Sequence, residues 1–208
     1  MTTRPDLPAM PRIAGLEALL REQGGQGPAP VERWNPPYCG DIGLEIRRDG
    51  TWYYQKSPIG RIALVRLFAR VLRRDEDGRT YLVTPAEKVD VRVADAPFLA
   101  VEMDVRDPGE GQVLLFRTNV DDIVVCDADH PLRFAAEPGS GGLKPYLRVR
   151  GRLDALVTRA LYQDLVALAV DAPSQDGPHD SPSDGQSNRP LGVWSSGAFF
   201  PLTAPGMI

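Results

Sequence analysis

Polar residues able to do chemistry concentrate in three places along the chain. The first is Arg117-Thr118-Asn119-Val120-Asp121-Asp122, followed closely by Asp127, Asp129 and His130. Carboxylates with one imidazole are donors for a divalent cation. A metal-dependent enzyme using Asp121, Asp129 and His130 is therefore one reading, although the spacing matches no known metal loop. The second place is Tyr146-Leu147-Arg148-Val149-Arg150, and the third is Lys88 at the head of an alternating run. Lys88, Arg117, Arg148 and Arg150, with Thr118, Asn119 and Tyr146, are the residue types that hold a phosphorylated heterocycle. Arginine grips phosphate through two N–H groups and an aromatic ring stacks the base. Each of these residues has an alternative reading as a solvated strand residue paired with a nearby acid.

Other constellations carry less. Gly139-Ser140-Gly141-Gly142 before Lys144 lacks the helix that a phosphate loop needs, because Pro145 and a strand follow. Ser195-Ser196-Gly197 has no strand-to-helix elbow, and the histidines are His130 and His179. No catalytic residues are assigned, the cofactor is left open, and a metal centre is not expected.

The elements that must position these residues follow from periodicity. Ile42, Leu44 and Ile46, then Trp52 and Tyr54, flank Asp49-Gly50, which predicts a two-residue hairpin. Ser57-Pro58 predicts a helix start, with Ile62, Val65, Phe68 and Leu72 as its buried stripe and Arg66, Arg70 and Arg73 outward. Tyr81 to Val83 reads as a strand. From Lys88 onward the pattern alternates through Val89, Val91, Val93, then Leu99, Val101, Met103, Val105, then Val113 to Phe116, as an antiparallel meander. Tyr146 to Arg152 echoes Trp52 to Arg61. A second helix is expected through Leu153, Leu156, Val157, Leu161, Leu165 and Leu168, and Leu191 to Trp194 starts a closing hairpin.

The resulting fold class is α+β, an internal duplication of a strand-helix-strand plus antiparallel meander plan. Its expected segments are an N-terminal helix and linker (1–33), a first copy (34–94), connecting meander strands (95–130) and a second copy (131–208). Residues 171–190, nearly all Asp, Ser, Pro, Gly and Gln, read as a disordered insertion. If the copies face each other, the anion-binding residues line a crevice between them.

At 208 residues and 42% hydrophobic content the chain can bury a sizeable core. A net charge of −4 makes nucleic acid an unlikely partner, and no apolar run has membrane-spanning length. Cys39 and Cys126 stand apart and no secretory signal precedes them, so a reducing cytoplasm is the expected location. Ile13, Leu16, Leu19 and Leu20 give a short amphipathic helix that needs a surface, on this chain or on a partner, to be stable. With the basic face of Arg66, Arg70 and Arg73 it supports the alternative of a protein-interaction module without ligand.

The strings PPYCGDIGLEIRRDGTWYYQKSPIGR, YLVTPAEKVDVRVADAPF, FRTNVDD and LGVWSSGAFFPL resemble the bacterial family labelled domain of unknown function 1285, over about Trp34 to Leu202. The resemblance implies a duplicated α+β core, a C-terminal copy similar to pleckstrin-homology-like folds, and a nucleotide-like ligand between the copies in a signalling role. It places that ligand at Lys88 and at Arg117, Thr118, Asn119 and Asp121.

Overall fold

The computed structural model describes residues 28–109, 111–172 and 190–204. The expected N-terminal helix, His179 and most of the expected insertion lie outside these residues. What is described is mostly β, with two helices, and it forms two units. Of the described residues, 28–47 with 51–94 form the first; 48–50 with 95–109, 111–172 and 190–204 form the second.

In the first unit β1 (Tyr38–Ile46), β2 (Trp52–Tyr54) and β3 (Ser57–Pro58) form one antiparallel meander. After helix α1 (Ile62–Arg70), β4 (Leu72–Arg74), β5 (Thr80–Val83) and β6 (Lys88–Val93) form another. The meanders join through a parallel pair, β1 with β6, giving the order β3-β2-β1-β6-β5-β4. In the second unit β7 (Phe98–Arg106), β8 (Val113–Thr118) and β9 (Ile123–Val125) make the first meander. The second is β10 (Leu132–Ala136), β11 (Leu143–Arg150) and β12 (Leu153–Val157). Here β12 pairs in parallel with β7, and the order is β10-β11-β12-β7-β8-β9. Read from its other edge, this is the plan of the first sheet. The duplication is therefore present, but the repeated object is a pair of meanders closed by a parallel seam.

Several expected elements change identity. Tyr146 to Arg150 lies on β11, whose counterpart by sheet position is β5; the strand of Trp52 corresponds to β8. The helix is not the repeated element, because α1 sits between its unit's meanders whereas α2 (Arg159–Ala167) follows the second one. Leu153 to Val157 is a strand in which Leu153, Asp154, Ala155 and Val157 are buried. A central strand covered on both faces reads as a continuous apolar run, which helical spacing can imitate. The strands after Lys88 are also divided: β6 completes the first sheet and β7 opens the second.

Ser57-Pro58 caps no helix. Gln55 and Lys56 both take left-handed conformations, with φ of 46° and 68°, and this two-residue reversal folds Ser57-Pro58 back on Tyr54-Tyr53. Pro58 sits on an edge strand, where its missing N–H is not needed. The turn at Asp49-Gly50 is one residue longer than expected. The Arg47 N–H donates to the Thr51 carbonyl, so the loop is Arg48-Asp49-Gly50, with Gly50 at φ 77°.

Trp52 and Phe68 pack at 6.0 Å in the first core, with Leu44, Ile46 and Leu82 buried around them. The second core contains Phe98, Leu114, Phe116, Leu147 and Leu165. Each such side chain contributes about 1.5–3 kcal/mol by leaving water. A small third sheet, β13 (Val170–Asp171), β14 (Leu191–Ser195) and β15 (Ala198–Pro201), completes the second unit with the expected closing hairpin. Among the described residues no helix is long and apolar enough to cross a membrane.

Candidate functional site

Lys88 belongs to the first unit; the other seven residues expected to bind an anion belong to the second. In the first unit, Lys88 Nζ donates to Asp75 at 3.0 Å and sits 4.5 Å from the centre of the Tyr81 ring. Arg73 shares Asp75, at 2.6 Å, and donates to the carbonyls of Val31 and Trp34. Arg73 is therefore a buried residue of β4 and has no place on a solvated helical face. The helix ends at Arg70 because the chain turns there into the strand that pairs Leu72 with Leu82. Burial works to raise the Asp75 carboxyl, but the donors of Arg73 and Lys88 hold it below its ordinary value. Burial and the bond to Asp77 push the Tyr81 phenol up to about 12.

The Arg117 to Asp122 segment forms a turn tied to the neighbouring strand β7. Thr118 is fully buried; its Oγ1 accepts the N–H groups of Val120 at 3.3 Å and Asp122 at 3.0 Å. Asn119 exchanges two bonds with the backbone of Leu99, through its own N–H at 2.9 Å and its side-chain oxygen at 3.0 Å. Arg117 forks onto Glu102 and reaches Asp121 at 2.7 Å. Asp121 is left-handed at φ 68°. These roles are structural, and they explain the local density of polar residues.

Asp127 uses one oxygen to accept the N–H groups of Asp129 and His130, and it lies 3.1 Å from His130 Nδ1. Among the described residues no three His, Cys, Asp or Glu side chains come together as a metal site. Ser195, read as lacking a nucleophile's setting, is buried as a tie: it donates to the Cys126 carbonyl at 2.6 Å and accepts the Leu114 N–H at 2.9 Å. Burial raises the Cys126 thiol to about 12.

The remaining three residues fall on one sheet surface. Tyr146 and Arg148 lie two apart on β11, so both point to the same face. Across the register Tyr146 opposes Arg133 of β10, and Arg148 opposes Asp154 of β12. Arg133 lies 4.4 Å from the centre of the Tyr146 ring and donates to Asp154 at 2.7 Å. Arg148 donates to the other oxygen of Asp154 at 2.6 Å and to the Gly151 carbonyl at 2.8 Å. The carboxylate is 7% exposed, while Arg133 is 47% and Arg148 33% exposed. Next along the strand, Lys144 pairs with Asp95, which also accepts the Tyr146 hydroxyl at 2.6 Å. Burial and this bond to Asp95 push the Tyr146 phenol well up. Against the pull of burial, the donors of Lys144 and Tyr146 keep Asp95 low. Arg150 lies past a bulge, paired to Asp122 at 2.7 Å and 4.9 Å from the centre of the Phe98 ring.

Arg133 is the functional candidate that sequence reasoning missed. The alternation Leu132, Arg133, Phe134 already turns it outward, but only the register of β10 on β11 puts it over Tyr146. Lys144 was visible only as part of a glycine-rich loop; it is a strand residue.

The chain is thus a duplicated, mostly β protein whose second sheet carries a tyrosine flanked by guanidinium groups. It belongs to the DUF1285 family. The N-terminal domain of that family, a domain of unknown function, matches residues 29–96, and the C-terminal domain of the same protein of unknown function matches residues 97–202. A DUF1285 family protein from Silicibacter pomeroyi DSS-3 is 46% identical, over 92% of this chain and 96% of that one, with a TM-score of 0.75. One from Shewanella baltica OS155 is 26% identical, over 61% of this chain and 91% of that one, with a TM-score of 0.48. No curated protein matches the chain.

Proposed function

We propose that the protein is a binding protein without catalysis, and that the face of β10, β11 and β12 takes a small, ring-bearing anion of nucleotide type. The observation that carries this reading is the pair of guanidiniums, Arg133 and Arg148, held by the single buried carboxylate of Asp154. Two cations and one carboxylate leave a positive charge that an incoming phosphate neutralises. Arginine's fixed fork suits such a phosphate, and the half-exposed Arg133 guanidinium, held over the buried Tyr146 ring, offers a planar surface on which a base can stack. Arg117, Thr118, Asn119, Asp121 and Arg150 then shape the same unit, while Lys88 serves the first unit. Binding without turnover fits a signalling role, and two free cysteines fit a cytoplasmic protein. The pleckstrin-homology-like likeness belongs to this proposal too; a helix following the last strand of the sheet supports it, and the parallel β7–β12 pair departs from it.

The test is thermal unfolding of the full chain against nucleotides, dinucleotides and cyclic nucleotides, compared with Arg133→Gln and Arg148→Gln. Binding to the native state alone raises the midpoint. The expected result is a rise with one ligand class that both variants lose. No rise across the panel, or a rise that both variants keep, overturns the assignment and favours the protein-interaction alternative.

A further inference from the structure

The second unit contains a cavity of about 600 Å³ lined by Gly109, Gln112, Leu168, Val170, Trp194 and Gly197. This volume falls within the range of small-molecule sites, about 300–1,000 Å³. Among the described residues no charged side chain lines it, so its chemistry differs from that of the arginine-rich sheet face.

Its walls are fixed from behind. Trp194 stands edge-on to Phe199, with centroids 5.4 Å apart. Phe199 can lie there because position 192 is glycine: a Cβ on Gly192 would come within 2.3 Å of the Phe199 ring. Gln112 is 9% exposed and anchored at three atoms. Its N–H donates to the Gly109 carbonyl, its carbonyl accepts the Ser196 N–H, and its side-chain nitrogen donates to the Trp194 carbonyl at 2.7 Å. With that nitrogen committed, the Gln112 side-chain oxygen remains as an acceptor. Gly109 and Gly197 have φ of 113° and 74°, and a Cβ on either would meet no atom within 4 Å. Bare backbone on those sides leaves room for a flat ring to approach closely.

We infer that this cavity binds a neutral, planar heteroaromatic molecule bearing an N–H donor, its ring against Trp194 and its N–H directed to the Gln112 side-chain oxygen. An apolar wall with one placed polar group is how a small site combines affinity with orientation. A donor-bearing ring is favoured because a ring without one would cover that oxygen, cut it off from water and leave it unsatisfied.

Indole is the probe, and benzofuran, of the same shape without the N–H, is its control. Ligand-observed NMR and thermal unfolding on the full chain measure both. Indole is expected to bind saturably and benzofuran about tenfold more weakly, the difference one such hydrogen bond makes. Val170→Phe should fill the cavity and abolish indole binding; because Val170 is 47% exposed, the variant's own unfolding midpoint should not change. Saturable indole binding that Val170→Phe removes and benzofuran fails to match supports the assignment. No indole binding at millimolar concentration, equal binding of both probes, or indole binding unaffected by Val170→Phe overturns it.

Discussion

Asp75 shows how a single carboxylate can be structural while its neighbours look functional. Its two oxygens receive Arg73 and Lys88, and these donors outweigh burial to hold the group below its ordinary value of 3.8. A carboxyl lowered in the folded state contributes stability that is complete above the unfolded value and is lost as pH falls through the folded one. The unfolding midpoint of the wild type should therefore drop as pH falls below about 4. Asp75→Asn should be less stable at neutral pH by about 1–3 kcal/mol and should lose part of that acid dependence. A variant as stable as wild type at pH 7 would show that the pair contributes nothing. The two thiols contrast in the same way. Cys39 is exposed and Cys126 buried, so a thiol reagent should modify one cysteine per native chain and two after denaturation. Mass mapping of the fast site to Cys126 would contradict the structure. Neither Arg73's burial nor Arg133's position was legible in the sequence, because each depends on a partner outside its own element: Val31, far along the chain, for one, and Tyr146, set by the register of the next strand, for the other.

At the scale of elements, sequence periodicity located most strands, and it failed where two periods coincide. Leu153, Leu156 and Val157 fit a helix as well as a buried strand, and the parallel register on Phe98 to Ala100 decides for the strand. Ser57-Pro58 fits a helix start as well as an edge strand, and the left-handed pair Gln55-Lys56 decides again for the strand. Elsewhere a single group fixes the local structure. Thr118 closes the turn after β8 by accepting two N–H groups in a fully buried setting. Thr118→Val keeps the shape and strands both donors, so a loss of about 1–3 kcal/mol is expected in chemical denaturation. Gly192 is a second fixed point, since any Cβ collides with Phe199 and the Phe200 carbonyl. Gly192→Ala should cost about 1–3 kcal/mol and disturb Trp194 emission, as Phe199 is driven off its site. Unchanged stability and emission would mean that the ring moves aside without penalty.

For the molecule as a whole, the duplicated plan has a mechanical consequence. Each unit's meanders are local in sequence, whereas each unit's seam joins distant segments: Leu44 meets Val91, and Ala155 meets Phe98. Closing a seam of that separation has an entropic cost that only the completed core offsets, so the seam strands form with the global fold and open only with it. Edge strands lack a partner on one side and open by local fraying. Native-state hydrogen exchange should therefore rank the strands by position in the sheet. Amides of Leu44 to Ile46, Val89 to Val91, Phe98 to Ala100 and Ala155 to Val157 should exchange last within each unit. The edge strands β3 and β4, and β9 and β10, should exchange first. The sequence-level picture of repeated helices leads to the opposite ranking, with protection centred on α1 and α2. Seam amides that exchange as fast as the edges while the helices stay protected would show that the helices nucleate each half and the parallel pairs are secondary. Protection that follows the seams would identify the paired meander as the unit that was duplicated and that folds.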